Sequence, residues 1–427
     1  KKITKLAHSK LYDIVPDYYH GVTPKLKVRV GDAVKVGTPI FRSKRDEAMN
    51  FVAPVSGTVK EIVRGERRKI LKIVIEADET LEYVEFNTKS STKEDIKSAL
   101  LESGMWTFIK QRPFDIIANP TKEPRDIFIS TFDSAPSAPD YEFILKDKLD
   151  EFKAGVEAVK KLTTGNVYLG LSSEQSIFNQ VEGVKKTIFV GKHPAGNIGV
   201  QINHTAPVNK DETVWTINPQ DLCLIGRFFK TGKVDFTKTI ALTGSEVQQA
   251  EYFDVVAGSK IDPIVTGRVN KTEYPLRYVS GNVLTGEKIS LEESISPYAN
   301  QISVLNDGST THELLGWAMP RLNKFSVSAL FLSKFFKRKT YKWDSRLLGG
   351  RRAIIMSNEY DKVFPMDIMP EPLIKAMISR NIDRMESLGV YEIAPEDFAL
   401  CEFVDTSKLP LQAIVRKSLD DLRSEIE

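Results

Sequence analysis

The sequence predicts a multi-domain protein combining α/β and α+β units, and three observations lead there. At 427 residues the chain exceeds what one core usually organises, so roughly two to four domains are expected. Strands alternate with helical stretches from about residue 126 to 255, the pattern of an open α/β sheet. Short glycine-punctuated strands precede that region, and apolar stripes at helical spacing follow it.

Residues 24–76 are the clearest unit. Leu26, Val28 and Val30 alternate before a Gly31-Asp32 turn, and Val34, Val36 and Gly37 lead into Pro39-Ile40-Phe41. Phe51-Val52-Ala53-Pro54 and Ser56-Gly57-Thr58-Val59 are further short strands, and a hairpin turns at Arg64-Gly65. This fits a small β-sandwich. The spacing resembles the barrel-sandwich hybrid of biotinyl and lipoyl carriers, whose modified Lys sits at a hairpin tip. Here that tip is Lys44-Arg45-Asp46-Glu47-Ala48-Met49-Asn50, with Asn50 in the acceptor position, so an unmodified docking module is expected.

Ser91-Thr92 with Glu94-Asp95 predicts a capped helix over 92–104. Strand Ile127-Phe128-Ile129, helical periodicity from Phe143 to Leu162, and strands at 167–169 and 187–190 follow. Residues 256–306 look like a β-rich insert, and strand-like basic sequence is expected from Asn323 to about Met369. Two closing helices are predicted. Leu373, Ile374, Met377, Ile378, Ile382 and Met385 share one face of the first; Leu411, Ile414, Val415, Leu419, Leu422 and Ile426 share one face of the second.

The net charge of +3 and the dispersed Lys and Arg argue against nucleic acid. No stretch approaches the ~20 apolar residues a spanning helix needs. No signal peptide is expected behind Lys1-Lys2-Ile3-Thr4. Cys223 and Cys401 are too few for an iron–sulfur cluster, and the five histidines show no metal-ligand spacing, so no metal site is expected.

Three stretches carry two readings each. Gly191-Lys192-His193-Pro194-Ala195-Gly196-Asn197-Ile198-Gly199 follows a strand, as a phosphate loop would, yet Pro194 lacks a donor and Val200 to His204 do not read as a helix. Lys334, Lys337, Arg338, Lys339 and Lys342, with Phe335, Phe336 and Tyr341, form either a solvated stretch or a contact for anionic headgroups or an acidic partner. Trp106, Phe108, Lys110, Arg112 and Phe114 interleave rings and cations; they are either packing residues or a surface for a flat, carbonyl-bearing headgroup.

Several phrases in order resemble one family. They are Gly104-Met105-Trp106-Thr107 with Arg112-Pro113-Phe114, Ile127-Phe128-Ile129-Ser130 with Asp133-Ser134, Gly191-Lys192-His193-Pro194-Ala195-Gly196, and Val214-Trp215-Thr216-Ile217-Asn218-Pro219-Gln220-Asp221. Val279 to Gly286, Gly316 to Pro320, Asn323 to Ser326, Glu359 to Asp367 and Glu396 to Val404 continue the series. Over nearly its whole length the chain resembles the NqrA family of the sodium-translocating NADH:quinone oxidoreductases. That family is related to the C subunit of ion-translocating ferredoxin:NAD oxidoreductases and distantly to the flavin-carrying subunit of respiratory complex I.

The resemblance implies a barrel-sandwich domain at 1–90, a Rossmann-like α/β domain at 91–255, a β-grasp-like domain at 256–325 and a C-terminal β/helical part at 326–427. It implies a peripheral subunit on the cytoplasmic side of a bacterial inner membrane, with the membrane subunits of the complex as partners. Such a subunit supports electron transfer from NADH to ubiquinone coupled to sodium export, without catalysing alone. Where the complex I relative has a glycine-rich flavin loop, Trp106, Phe108 and Ile109 place bulk, and Asp405 stands where the family has a second Cys after Cys401. No bound cofactor is therefore expected here; NADH, flavins, the iron–sulfur centre and quinone chemistry belong to other subunits. The sharper expectation is a quinone pocket lined by Trp106, Lys110, Arg112 and Phe114, with His193 as a further donor. The alternatives are a ligand-free assembly subunit or a flavin- or NADH-binding dehydrogenase subunit. The family's usual opening is absent, so the natural chain is expected to begin before Lys1.

Overall fold

The computed structural model describes residues 1–89, 92–311, 313, 319–322, 324–327, 331–336 and 341–426. Residues 316–318 and Asn323 of the family phrases, and the basic residues Lys337, Arg338 and Lys339, lie outside them.

The N-terminal unit is two small sheets face to face. One orders the strands Leu11–Ile14, Ile70–Ala77, Gly57–Arg64 and Ala33–Val34; the other orders Pro24–Leu26, Pro39–Ser43 and Asn50–Val52. Ile40, Phe41, Phe51, Val59, Ile73 and Ile75 fill the interior, with Phe41 stacked on Phe51 at 4.5 Å, while of the alternating Leu26, Val28 and Val30 the strand holds only Leu26 and Val30 is exposed. Asn50, at the carrier position, donates through Nδ2 to the Glu102 carbonyl at 3.4 Å, so this tip faces the next domain.

Thr92 caps the helix Lys93–Glu102, its Oγ1 accepting from the Asp95 amide at 3.2 Å. The second sheet runs Ile116–Ile117, Lys110–Arg112, Val214–Thr216, Asp126–Ser130, Val167–Leu171 and Lys185–Ile188. Its last four strands are parallel and the first two antiparallel. The helices Leu149–Lys160 and Pro219–Thr231 pack so closely that a Cβ on Gly226 would lie 1.8 Å from the Glu151 carbonyl, and one on Gly155 2.3 Å from that of Leu222. Only glycine permits that approach.

The third sheet orders Ile3–Lys5, Glu251–Val256, Thr237–Thr243, Gln301–Asn306, Leu276–Ser280 and Glu287–Ile289. It begins well before residue 255, where a boundary was expected, because Thr237–Thr243 and Glu251–Val256 pair with each other and the former also with Gln301–Asn306. Ile3–Lys5 also belongs to it, lying parallel to Glu251–Val256, so the first residues are not part of the barrel sandwich.

The C-terminal part differs from its prediction in two ways. Among the described residues between 319 and 369 there is no strand, only the short 3-10 turn Leu332–Phe335 and a single bridge at Asp344. The first expected helix is two, Pro370–Ile378 and Ile382–Ser387, broken at Arg380 with φ 54° and restarted by the Asn381 side chain accepting from the Arg384 amide. Ile378 is half exposed. Leu411–Ile426 is one helix as expected, burying Leu411, Val415, Leu419 and Leu422. Their core is shared with Phe114, Ile116 and Val200 of the α/β domain, which joins the two units through continuous packing.

Candidate functional site: an arginine-centred junction of domains

The hairpin of Lys110–Arg112 with Ile116–Ile117 turns at Pro113, Phe114 and Asp115, the last two at φ 80° and 48°. It follows the 3-10 turn Met105–Phe108, which starts from Gly104 in the left-handed region. Four of the five expected site residues lie on this segment, in different environments. Trp106 is fully buried, donates through Nε1 to the Ala118 carbonyl at 2.7 Å, and meets the Trp215 ring edge-on at 5.2 Å. Phe114 is buried in the core shared with the C-terminal helices. Lys110 is half-buried, its ammonium 4.6 Å from the centre of the Tyr298 ring.

Arg112 is the centre. Only 1% exposed, it donates through Nη1 to the Glu392 carbonyl and to Asp397 Oδ2, both at 2.7 Å, and through Nη2 to Glu396 Oε1 at 3.1 Å. Burial works against its charge, but Asp397, Glu396 and Asp115 outweigh it and hold the guanidinium protonated. Burial also opposes the Asp115 charge, and Lys110, Arg112 and Arg416 overcome it, so this carboxyl is held below its usual range. Glu396 moves the other way: burial and the neighbouring Asp397 raise it above the usual carboxylate range, against the pull of Arg112.

Asp397 does two further jobs. Its Oδ2 accepts from the Ala394 amide at 2.8 Å. Its Oδ1 lies against the start of the helix Ile198–Thr205, where a Cβ on Gly199 would come within 2.2 Å of it and 2.6 Å of Arg112 Nη1. The loop before this helix was not expected to lead into one. The helix forms with the carboxylate of Asp397 at its N-terminal end, where the backbone dipoles favour an anion. Among the described residues Oδ1 accepts no hydrogen bond, so the carboxylate packs beside the helix start without capping it.

His193, in that loop, sits elsewhere. Its Nδ1 is 3.0 Å from Ser134 Oγ, which accepts from the Gly196 amide at 2.8 Å, and burial lowers its pKa toward the neutral form. It shares no partner with Arg112 among the described residues.

The junction extends to every domain. Arg416 of the last helix donates to the carbonyls of Phe114 and Asp115, and its Nη2 is 3.1 Å from Asp420. Asp420 Oδ1 is 2.9 Å from Nε2 of His20, in the barrel sandwich. Tyr298, before the third sheet's Gln301–Asn306 strand, donates to the Thr107 carbonyl at 2.8 Å. A second ion pair, Lys238 with Asp221 at 2.8 Å and both buried, joins that sheet to the α/β domain. The sequence does not single out Glu396, Asp397, Tyr298 or Arg416 as site residues, and it marks Gly199 only as the end of a loop that a phosphate could have used. Glu396-Asp397 stood out only as part of a family phrase, and nothing local ties it to an arginine some 285 residues earlier.

Chemically, the junction offers a fixed guanidinium, a half-buried ammonium beside a tyrosine ring, and a carboxyl raised toward neutrality. Among the described residues no cluster of His, Cys, Asp and Glu is placed to hold a metal ion, and no helix is long and apolar enough to cross a membrane.

Three family models match consecutive parts of the chain: the NqrA N-terminal barrel-sandwich hybrid domain at residues 1–78, the NqrA second alpha/beta domain at 91–234, and the NQRA C-terminal domain at 239–290. Among curated relatives, the A subunit of the Na(+)-translocating NADH-quinone reductase from Rhodopirellula baltica is 35% identical over 421 residues, covering 96% of this chain and 92% of that one. Its counterparts from Neisseria meningitidis serogroup B and Serratia proteamaculans are each 34% identical, covering 96% and 95% of this chain and 93% and 92% of theirs. A solved NAD+-reducing [NiFe]-hydrogenase aligns with a TM-score of 0.40 at 11% identity, over 78% of this chain and 61% of that one. With three domain models in order and relatives above 30% identity along nearly the full length, the chain belongs to the NqrA family, the A subunits of the Na(+)-translocating NADH-quinone reductases.

Proposed function

We propose that this chain is a peripheral, cofactor-free subunit that supports electron transfer from NADH to quinone in a sodium-exporting complex, docked on the membrane subunits at the cytoplasmic face. The observation that carries this reading is the similarity to an NqrA relative along 96% of the chain. The bulk of Trp106, Phe108 and Ile109 in the segment after the helix Lys93–Glu102, and the burial of both cysteines, support the absence of a flavin or iron–sulfur centre of its own. Deleting the gene should abolish sodium-stimulated NADH:quinone reductase activity in membranes, and adding back the purified chain should restore it. Unchanged activity would sink the assignment.

Within that role, a quinone headgroup would meet Lys110 at the half-exposed edge of the junction. Trp106, Arg112 and Phe114 would position the edge from behind, and His193 would stand apart. Lys110 can donate to a quinone carbonyl, and Glu396, raised toward neutrality, can carry a proton beside it. A charge-assisted hydrogen bond contributes about 1.5–3 kcal/mol, so Lys110→Ala should weaken binding of a short-chain quinone by about tenfold or more. Equal affinity would remove the pocket.

The rival reading, an assembly subunit without a ligand, draws on the commitment of the Trp106 and Arg112 donors to internal partners. Normal complex assembly with no quinone binding by the purified chain would favour it.

A further inference from the structure

We propose that the surface formed by the described residues between Met319 and Met356, centred on Leu332 to Phe336, is a membrane contact whose partner is the headgroup region of an anionic lipid bilayer. This rests on the peripheral placement proposed for the chain, and its test does not depend on it.

The first observation is charge. The described residues of 319–356 carry seven Lys and Arg against one acid, Asp344, while the whole chain is only +3. That single acid is already used, with Lys324 Nζ at 3.0 Å and Arg346 Nη2 at 2.9 Å. Glu313, outside the stretch, meets Arg321 and Arg346, which leaves the basic excess in place. The second observation is exposed apolar bulk. Phe335 is 71% exposed, Phe336 54%, Met319 53%, Leu322 50% and Leu332 44%. Isolated apolar residues on a surface are ordinary, but with Phe325 and Val327, also about half exposed, seven large ones among the described residues of the eighteen positions from Met319 to Phe336 are not.

These side chains are brought together by the backbone. The Leu332 amide donates to the Pro320 carbonyl at 3.0 Å, and Ser333 Oγ donates to the Lys324 carbonyl at 2.6 Å, so Pro320 and Lys324 lie beside Leu332 and Ser333. The stretch is also anchored from behind. Phe325 stacks on Trp343 at 5.5 Å, and Trp343 on Phe403 of the helix Ala399–Val404 at 5.7 Å. One set of aromatic residues therefore holds the stretch to the protein, and another, led by Phe335, is left in water. Lys334 lies 5.1 Å from the centre of the Phe335 ring, pairing an ammonium with an exposed ring.

Rings and aliphatic chains interleaved with cations, and a scarcity of acids, match the boundary between headgroups and acyl chains. There the rings enter the apolar layer while Lys and Arg meet lipid phosphates. A protein partner would meet the same cations with carboxylates, but would leave Phe335 and Phe336 needing an apolar pocket of matching shape. Each basic residue near an anionic surface contributes about 1 kcal/mol, so a few suffice for measurable binding.

The test is sedimentation of the full chain with unilamellar vesicles, either pure phosphatidylcholine or with about one third replaced by phosphatidylglycerol. The expected result is binding to the anionic vesicles about tenfold or more above the neutral ones, weakening with added salt. Phe335→Ser/Phe336→Ser should lose about tenfold on the anionic vesicles with an unchanged near-ultraviolet circular dichroism spectrum, since both rings are exposed. Lys334→Glu should lose binding in the same direction. Absence of binding to anionic vesicles overturns the proposal, as does a double variant that binds like the wild type. If the double variant instead fails only to join the other subunits, the surface belongs to a protein partner. Vesicle binding together with unchanged reductase activity after gene deletion would leave the lipid surface standing while removing the assignment to the sodium pump.

Discussion

Replacing Arg112 by Met is the most informative single perturbation of this molecule. The guanidinium is 1% exposed, its partner Asp397 is buried, and its three hydrogen bonds span 2.7–3.1 Å. Met keeps most of the apolar stem, so the loss falls on the charge and its donors. Three charged hydrogen bonds added naively would give about 5–9 kcal/mol. The arginine's own desolvation is recovered on mutation, and the governing cost is the uncompensated carboxylate left behind, about 3–5 kcal/mol. Against a native stability of about 5–15 kcal/mol that is a large share. The effect should be regional, because Arg112 holds the α/β domain to the 392–397 segment of the C-terminal part. Urea unfolding followed by tryptophan fluorescence should show an earlier transition, and limited proteolysis should cut faster within 341–369. Arg112→Met/Asp397→Asn, which removes the stranded charge while keeping an oxygen for the Ala394 amide, should recover part of the loss. A single variant within about 1 kcal/mol of wild type, or a double variant no better than the single, would refute the clamp.

Three further expectations follow from the same geometry. Glu396 is raised above the ordinary carboxylate range by its surroundings and the neighbouring Asp397, so just above that range the native state binds more protons than the unfolded one. Stability from this group is therefore full at low pH and falls as pH rises through and above the ordinary carboxylate range, and Glu396→Gln should flatten that part of the melting-temperature profile. An unchanged profile would show that Glu396 titrates normally. Gly226→Val drives a side chain into the Glu151 carbonyl at 1.8 Å, so the two helices must separate, at a cost of about 3 kcal/mol or more by thermal melting. A variant as stable as wild type would mean that this helix contact relaxes freely. Trp106→Phe removes the donor to the Ala118 carbonyl and should cost about 1–3 kcal/mol, with no change in flavin content. A loss of bound flavin on that substitution would instead revive the flavoprotein reading.

Most of the secondary-structure elements were legible because they rest on local rules. Glycine-punctuated apolar runs marked the strands around Phe41, Val59 and Ile73, the Thr92 cap marked a helix start, and the Leu411 to Leu422 stripe marked the last helix. Where the rules are local but conflicting, the reading slipped. The stripe from Leu373 to Met385 continues through Arg380, whose positive φ breaks the helix. After Pro194 the sequence Ile198 to Thr205 is short and carries few strong helix formers, yet it becomes helical with Asp397 packed at its N-terminal end.

By itself, then, the sequence determined the family, the β-sandwich at the start, the alternating α/β region and the segment that carries Lys110 and Arg112. Tertiary structure alone decided what those residues do. Whether Arg112 faces a headgroup or a carboxylate depends on residues 392–397 returning to it across the fold, and Lys110 remains at the edge because Tyr298 arrives from the third sheet. Composition and spacing report which groups are available; burial and charge pairing depend on which distant segments close over them, and that is set by the packing of whole domains.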